Sequence, residues 1–103
     1  MSHDHIPNTP TALTATFTDN GRVRLMFEGN SESGSVYYLI WRRDGIDGRW
    51  LPRDMTEEQG YVDVNLTPGE IYAYRIQAQE PLSVSSFSNT VVVEVPELKS
   101  SAG

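Results

Sequence analysis

Residues Leu66 to Ala78 read LTPGEIYAYRIQA, and this stretch decides the fold. Pro68-Gly69 is a tight turn: proline presets φ at one position, and glycine takes backbone angles that other residues resist. Beyond the turn the chain alternates. Tyr72, Tyr74, Ile76 and Ala78 fall on one side, and Ala73, Arg75, Gln77 and Gln79 on the other. Period two predicts a strand with one buried face. Leu66 and Tyr72 flank the turn in the pattern of a tyrosine corner. There a tyrosine hydroxyl bonds back to the backbone just upstream and pins a crossover between two sheets.

Working outward, the same alternation recurs on both sides. Upstream, Thr11 to Thr18 places Leu13, Ala15 and Phe17 together, and Asp19-Asn20-Gly21 is a hairpin-type turn signal. Arg22 to Glu28 alternates Val23, Leu25 and Phe27 against Arg24, Met26 and Glu28. After the loop GNSESGS, Val36 to Arg43 predicts a third strand. A turn cluster at Asp44 to Gly48 leads to a short fourth strand, Arg49 to Arg53, read as ended by Pro52. Asp54 to Gly60 reads as a polar loop with room for one helical turn, and implies a long crossover. Tyr61 to Asn65, Tyr72 to Gln79 and Ser86 to Val95 complete the set, with Glu80 to Ser85 as a loop. No window has helical periodicity of useful length. Seven short strands punctuated by turns predict an all-β, two-sheet antiparallel sandwich.

The chain has 103 residues, one domain by length, and carries a formal charge of −6. That charge disfavours nucleic acid as a partner, because phosphate binding needs clustered cations. With no cysteine there is neither a disulfide framework nor thiolate chemistry. No apolar run reaches membrane-spanning length, so membrane insertion is not expected. The opening MSHDHIPNTP lacks the basic start and apolar stretch of a signal peptide, so the expectation is either a chain not exported by that route or, in preference, a piece of a longer protein. Residues 1–9 and 97–103 read as flexible tails around a domain over 10–96. His3 and His5 could hold a metal only weakly, since two nitrogens on a tail do not make a site.

These residues resemble a fibronectin type III domain over roughly Pro10 to Pro96. The pieces are the leading proline with Leu13, VRLMF, YLIWR, YVDVNLTPGEIYAYRIQA and the serine-bearing SSFSNTVVVEVP. The spacing from Asp44 to Trp50 is similar to the bacterial and phage branch. The resemblance implies a seven-stranded immunoglobulin-like sandwich of sheets A-B-E and C′-C-F-G. Its core would be Leu13, Val23, Leu25, Phe27, Tyr38, Ile40, Tyr72, Tyr74, Ile76, Val91 and Val93. Phe27 stands where the family usually has Trp. The WSxWS box of cytokine receptors and an Arg-Gly-Asp triplet are both missing, so neither activity is carried over. One register stays open: the family pattern turns Tyr61 and Asp63 inward, whereas hydrophobicity favours Val62 and Val64.

Enzymatic constellations are thin. Both histidines lie in the N-terminal tail, which leaves no base for a nucleophilic triad, and no glycine-rich phosphate loop occurs. Asp44, Asp47, Glu57 and Glu58 read as solvated surface, and DGIDG lacks the ligand density of a calcium loop. Asn65-Leu66-Thr67 is a formal glycosylation sequon, but Asn before a turn has a simpler structural explanation. No cofactor is expected.

The third strand is the anomaly. If Tyr38 and Ile40 face the core, Tyr37, Leu39 and Trp41 face out together. With Arg43, Trp50 and Arg75 they form the candidate binding surface, and Arg42, Arg49 and Arg53 add local positive charge. Two readings follow. In one, Trp50 and the stem of Arg75 cover these side chains, Arg75 stacking on Trp41. In the other, the face docks a neighbouring domain or another protein. The expected role is then a non-catalytic spacer or docking module in a larger extracellular, cell-surface or virion protein. The alternative is an accessory carbohydrate-binding module of a polysaccharide-degrading enzyme.

Overall fold

The computed structural model describes residues 6–18, 21–30 and 36–97. His3, His5, Asp19, Asn20, residues 31–35 of the second loop and the tail beyond Glu97 lie outside the described residues. Among those described there are eight strands and no helix. They are β1 (Thr11–Phe17), β2 (Val23–Glu28), β3 (Tyr37–Asp44), β4 (Trp50–Thr56), β5 (Gly60–Asp63), β6 (Ile71–Glu80), β7 (Ser83–Val84) and β8 (Val91–Glu94). β1, β2 and β5 form one antiparallel sheet; β4, β3 and β6 form the other, with β7 and β8 both on the free side of β6.

Alternation places the core where expected. Leu13, Val23, Leu25, Phe27, Tyr38, Ile40, Tyr72, Tyr74, Ile76 and Ala78 are buried between the sheets, while Val91 and Val93 are half-buried against them. Val36, Leu66 and Val95 close the same core. Phe27 fills its aromatic slot by meeting the Tyr38 ring edge-on, with centroids 5.0 Å apart. The open register resolves toward Asp63, which is 0% exposed, while Val62 and Val64 face solvent.

The tyrosine corner is formed. Glu70 N–H donates to the Thr67 carbonyl at 3.2 Å, and Gly69 has φ 84°, the geometry of a type II turn with Pro68 first. Thr67 N–H then donates to the Tyr72 hydroxyl at 2.9 Å. On the other side Gly69 N–H donates to Val95 C=O at 2.8 Å, tying the turn to the chain after β8. Asn65, the sequon residue, sits at φ 62°, a left-handed angle that asparagine tolerates.

Five expectations are corrected. Glu80 to Ser85 is not all loop: Glu80 ends β6 and Ser83–Val84 pairs with it as β7, which brings the described strands to eight. β4 does not stop at Pro52 but runs to Thr56, so Asp54 to Thr56 is strand and not a helical turn. Proline survives there because β4 is an edge strand. A bulge lets the strand continue: pairing steps from Trp41↔Pro52 to Ile40↔Asp54, leaving Arg53 as the extra residue. The crossover from β4 to β5 is consequently short, residues 57–59. The last strand is also shorter than read, because residues 85–90 do not form a regular ladder. They hang from β6 by serine side chains, as described below.

Strand registers give the sandwich a polarity. Thr11 at the start of β1 pairs with Glu28 at the end of β2. Tyr37 at the start of β3 pairs with Gln79 near the end of β6. These ends share one pole, since Tyr38 packs on both Phe27 and Gly29. Glu94 at the end of β8 pairs with Ile71 at the start of β6, at the opposite pole. The chain therefore enters at one end of the sandwich and leaves at the other.

β1 contains a strained residue. Ala12 has φ 58° where the register shifts between Thr11 and Thr14. The strain is held by Asn89, whose side-chain amide accepts from Leu13 N–H and donates to Leu13 C=O, both at 3.0 Å. A Cβ at this angle costs about 1–2 kcal/mol, part of which glycine's greater unfolded-state freedom offsets. Ala12→Gly is expected to raise stability by roughly 0.5–1 kcal/mol. The check is a higher urea midpoint at unchanged slope.

Candidate functional site

The outward face of the β4-β3-β6 sheet carries the six residues singled out from sequence. Pairing sets them in rows: Tyr37 beside Gln79, Leu39 between Met55 and Gln77, Trp41 between Pro52 and Arg75, and Arg43 between Trp50 and Ala73. Tyr37 and Met55, 47% and 50% exposed, face water. Leu39, Trp41, Arg43, Trp50 and Arg75 are half-buried, because they cover one another.

The covering has a definite order. The Arg75 guanidinium lies over the Trp50 ring at 4.2 Å and over the Phe87 ring at 3.6 Å. Arg43 approaches Trp50 at 5.2 Å. Trp41 meets Phe87 edge-on at 5.8 Å, and its indole N–H donates to Gln77 Oε1 at 2.9 Å. Arg75 thus stacks on Trp50 and Phe87, where the sequence reading had it on Trp41. Burial, and then the neighbouring Arg43 charge, hold its guanidinium below the ordinary value.

Phe87 was not foreseen from the sequence. It reaches the face because the chain around it is fixed by two serines. Ser85 N–H donates to Ala78 C=O, and Ser85 Oγ accepts from Ala78 N–H at 2.9 Å. Ser88 does the same with Ile76, its Oγ accepting at 2.9 Å. Hydroxyls replace carbonyls along β6, and Phe87 between them turns outward. The usable signal was the Ser-x-x-Ser spacing opposite a strand of alternating residues.

Between the two sheets, Asp63 of β5 gathers a charged cluster from the strands of the facing sheet. Its Oδ2 accepts from Tyr74 Oη at 2.6 Å and from Arg42 Nη1 at 3.0 Å. Its Oδ1 accepts from Arg53 Nε at 2.9 Å and from Val64 N–H at 3.1 Å. Arg42 also grips Asp44 in a two-point contact, at 2.7 and 3.1 Å. Burial works against the charge on Arg42, but the hydrogen bonds to Asp44 and Asp63 outweigh it and raise its pKa. With every acceptor direction engaged and no solvent access, Asp63 is a structural carboxylate joining β3, β4, β5 and β6.

A second link joins the sheet edges: the Tyr61 hydroxyl donates to Asp54 Oδ2 at 2.9 Å. Burial, then this bond, push the Tyr61 pKa up to about 12. Burial, then Asp63, raise Tyr74 as well. A raised tyrosine pKa means that the fold favours the protonated form. The associated stability is whole below the ordinary value of 10.0 and is lost as pH climbs toward about 12. Melting temperature is expected to fall across that interval, and Tyr61→Phe to lessen the fall. Absorbance of tyrosinate followed alongside circular dichroism checks it.

No helix among the described residues is long and apolar enough to cross a membrane. No family model matches the chain. It is 28% identical over 94 residues to an amylopullulanase of Thermoanaerobacterium saccharolyticum, a match over 90% of this chain and 7% of that enzyme. The chain therefore spans a small fraction of that curated relative's length. Among solved structures it is similar to the twitchin kinase region from C. elegans, with a TM-score of 0.79 and 23% identity, covering 96% of this chain and 19% of that one. It is also similar to a domain of human fibronectin type III domain containing protein 3, with a TM-score of 0.77 and 20% identity, covering 99% and 98%.

Proposed function

We propose that this chain, which has the fibronectin type III fold, serves as a non-catalytic module of a longer polypeptide: it holds its neighbours apart and offers one sheet face for docking. The observation that carries the reading is the polarity of the sandwich. The chain arrives at the pole of Thr11 and Tyr37 and departs at the pole of Glu94 and Ile71, which suits serial linkage. The small share of the twitchin region and of the amylopullulanase that the chain covers supports the same reading. The buried carboxylate most protected from solvent, Asp63, is committed to four donors, consistent with a scaffold role.

The test is a distance. Fluorophores attached before Pro10 and after Pro96 are expected to sit about 25–30 Å apart, the length of an eight-residue strand. Transfer efficiencies placing them within about 10 Å would overturn the spacer role.

A second reading, an accessory module of a polysaccharide-acting enzyme, is favoured by the amylopullulanase match, and with it a location outside the cell. Titration with pullulan and soluble starch, followed by tryptophan fluorescence, tests it; an unchanged spectrum at saturating polymer ends it. Its physical difficulty is that the Trp50 and Phe87 ring faces, on which a sugar would stack, are taken by Arg75.

A further inference from the structure

We propose that the Arg43–Arg75 pair is the anchor of the docking face and that its occupant is a protein segment carrying carboxylates beside apolar residues. This rests on the docking part of the function proposed above, not on the spacer part.

The first ground is a missing counter-ion. Arg43 and Arg75 share one indole, at 5.2 and 4.2 Å from its centre. Among the described residues neither has a carboxylate partner, while Asp44 and Asp63 pair with Arg42 and Arg53. The Nε atoms of both are buried without a hydrogen-bond partner. Acids outnumber bases 14 to 8 in this chain, so two neighbouring guanidiniums left uncompensated are out of keeping with its composition. An incoming carboxylate relieves their repulsion by meeting the terminal guanidinium nitrogens, the buried Nε atoms lying out of its reach.

The second ground is what flanks the pair. Leu39 and Met55 lie one row beyond Trp41, and Tyr37, with Val84 across Gln79, one row further. Tyr37, Met55 and Val84 are exposed. Pro81 and Leu82 form the tip of the adjoining hairpin, where Leu82 is 98% exposed. Cations next to apolar ground call for a ligand of both characters. An acidic glycan supplies the charge but leaves the apolar strip of Leu39, Tyr37, Met55 and Val84 uncovered. An acidic peptide with apolar side chains needs only the strip and the charges.

The probe is a fluorescein-labelled peptide of alternating Glu and Leu, with a Lys and Leu peptide as control. It is titrated into the full chain labelled with nitrogen-15. The expected result is shifts of the Trp41 and Trp50 indole N–H signals and of Arg43 and Arg75 Nε–H. Binding should weaken severalfold in high salt and at least fivefold in Arg43→Gln. Arg43 touches one ring only, and because the mapping is made on the unsubstituted protein, it holds even where the variant is poorly folded. Shifts confined to other surfaces, equal shifts with the Lys and Leu peptide, or no shifts at millimolar peptide would overturn the proposal. So would dextran sulfate moving these signals when the Glu and Leu peptide does not. None of these outcomes alters the end-to-end distance, so the spacer role stands or falls separately.

Discussion

Asp63→Ala is expected to lose about 3–5 kcal/mol, the cost of removing one partner from a buried ionic cluster. A domain of this size has in total about 5–15 kcal/mol, so the variant would sit near the limit of folding. The physical reason is what stays behind. Arg42, Arg53 and Tyr74 each lose a hydrogen-bond acceptor. Arg42 keeps Asp44, but half of its compensation is gone. Asp63→Asn keeps the shape and loses the charge, and is expected to fall between the variant and the parent. The decisive control is removal of the whole cluster. Asp63→Leu combined with Arg42→Met, Arg53→Met and Tyr74→Phe is expected to recover most of the loss, because neither an uncompensated charge nor the buried Tyr74 hydroxyl is left without a partner. Urea unfolding followed by circular dichroism reads all three. A loss under about 1 kcal/mol for Asp63→Ala would mean that water reaches the arginines in solution.

How much of this was readable beforehand differs from residue to residue. Tyr72 was legible because three constraints coincide within a few positions: a proline-glycine turn, a hydrophobic residue before it and alternation after it. Each is local, and together they leave one arrangement. Asp63 was not legible from hydrophobicity, which prefers Val62 and Val64 inward. Its burial depends on Arg42 and Arg53, from two other strands, and on Tyr74, which a pattern confined to residues 61–65 cannot register. Pro52 was read as a stop because proline lacks a donor. The edge position of β4 follows from the C′-C-F-G order that the resemblance implies, and the structure bears it out; the bulge that carries the strand past Pro52 is visible only in the pairing. The outward orientation of the β3 row was legible, since alternation alone assigns Tyr37, Leu39 and Trp41 to one side. What covers them was half legible: Trp50 and Arg75 were anticipated, whereas Phe87 belongs to a segment whose backbone follows side-chain hydroxyls in place of a regular ladder.

Arg75→Ala is expected to cost about 2–3 kcal/mol, more than removal of any other charge on the outer face. Cation–π contacts contribute about 0.5–1 kcal/mol when exposed and about 2 when desolvated, and Arg75 makes two, both close and half-buried. Its stem also shields the rings, so the loss has an apolar share. Arg75→Met separates the two. It keeps the length and greasiness of the side chain and removes the charge, and is expected to recover part of the loss but not all. Arg43→Ala, which holds Trp50 alone at 5.2 Å, is expected to cost no more than about 0.5–1 kcal/mol. A double-mutant cycle of Arg75→Ala with Phe87→Leu should show coupling near 1 kcal/mol, since the two groups are 3.6 Å apart. Near-ultraviolet circular dichroism should flatten in Arg75→Ala as the indoles lose their fixed setting. If instead the substitution were neutral and the spectrum unchanged, the rings would be independent of Arg75. They would then be open to stacking by a ligand, and the polysaccharide reading would gain at the expense of the acidic peptide.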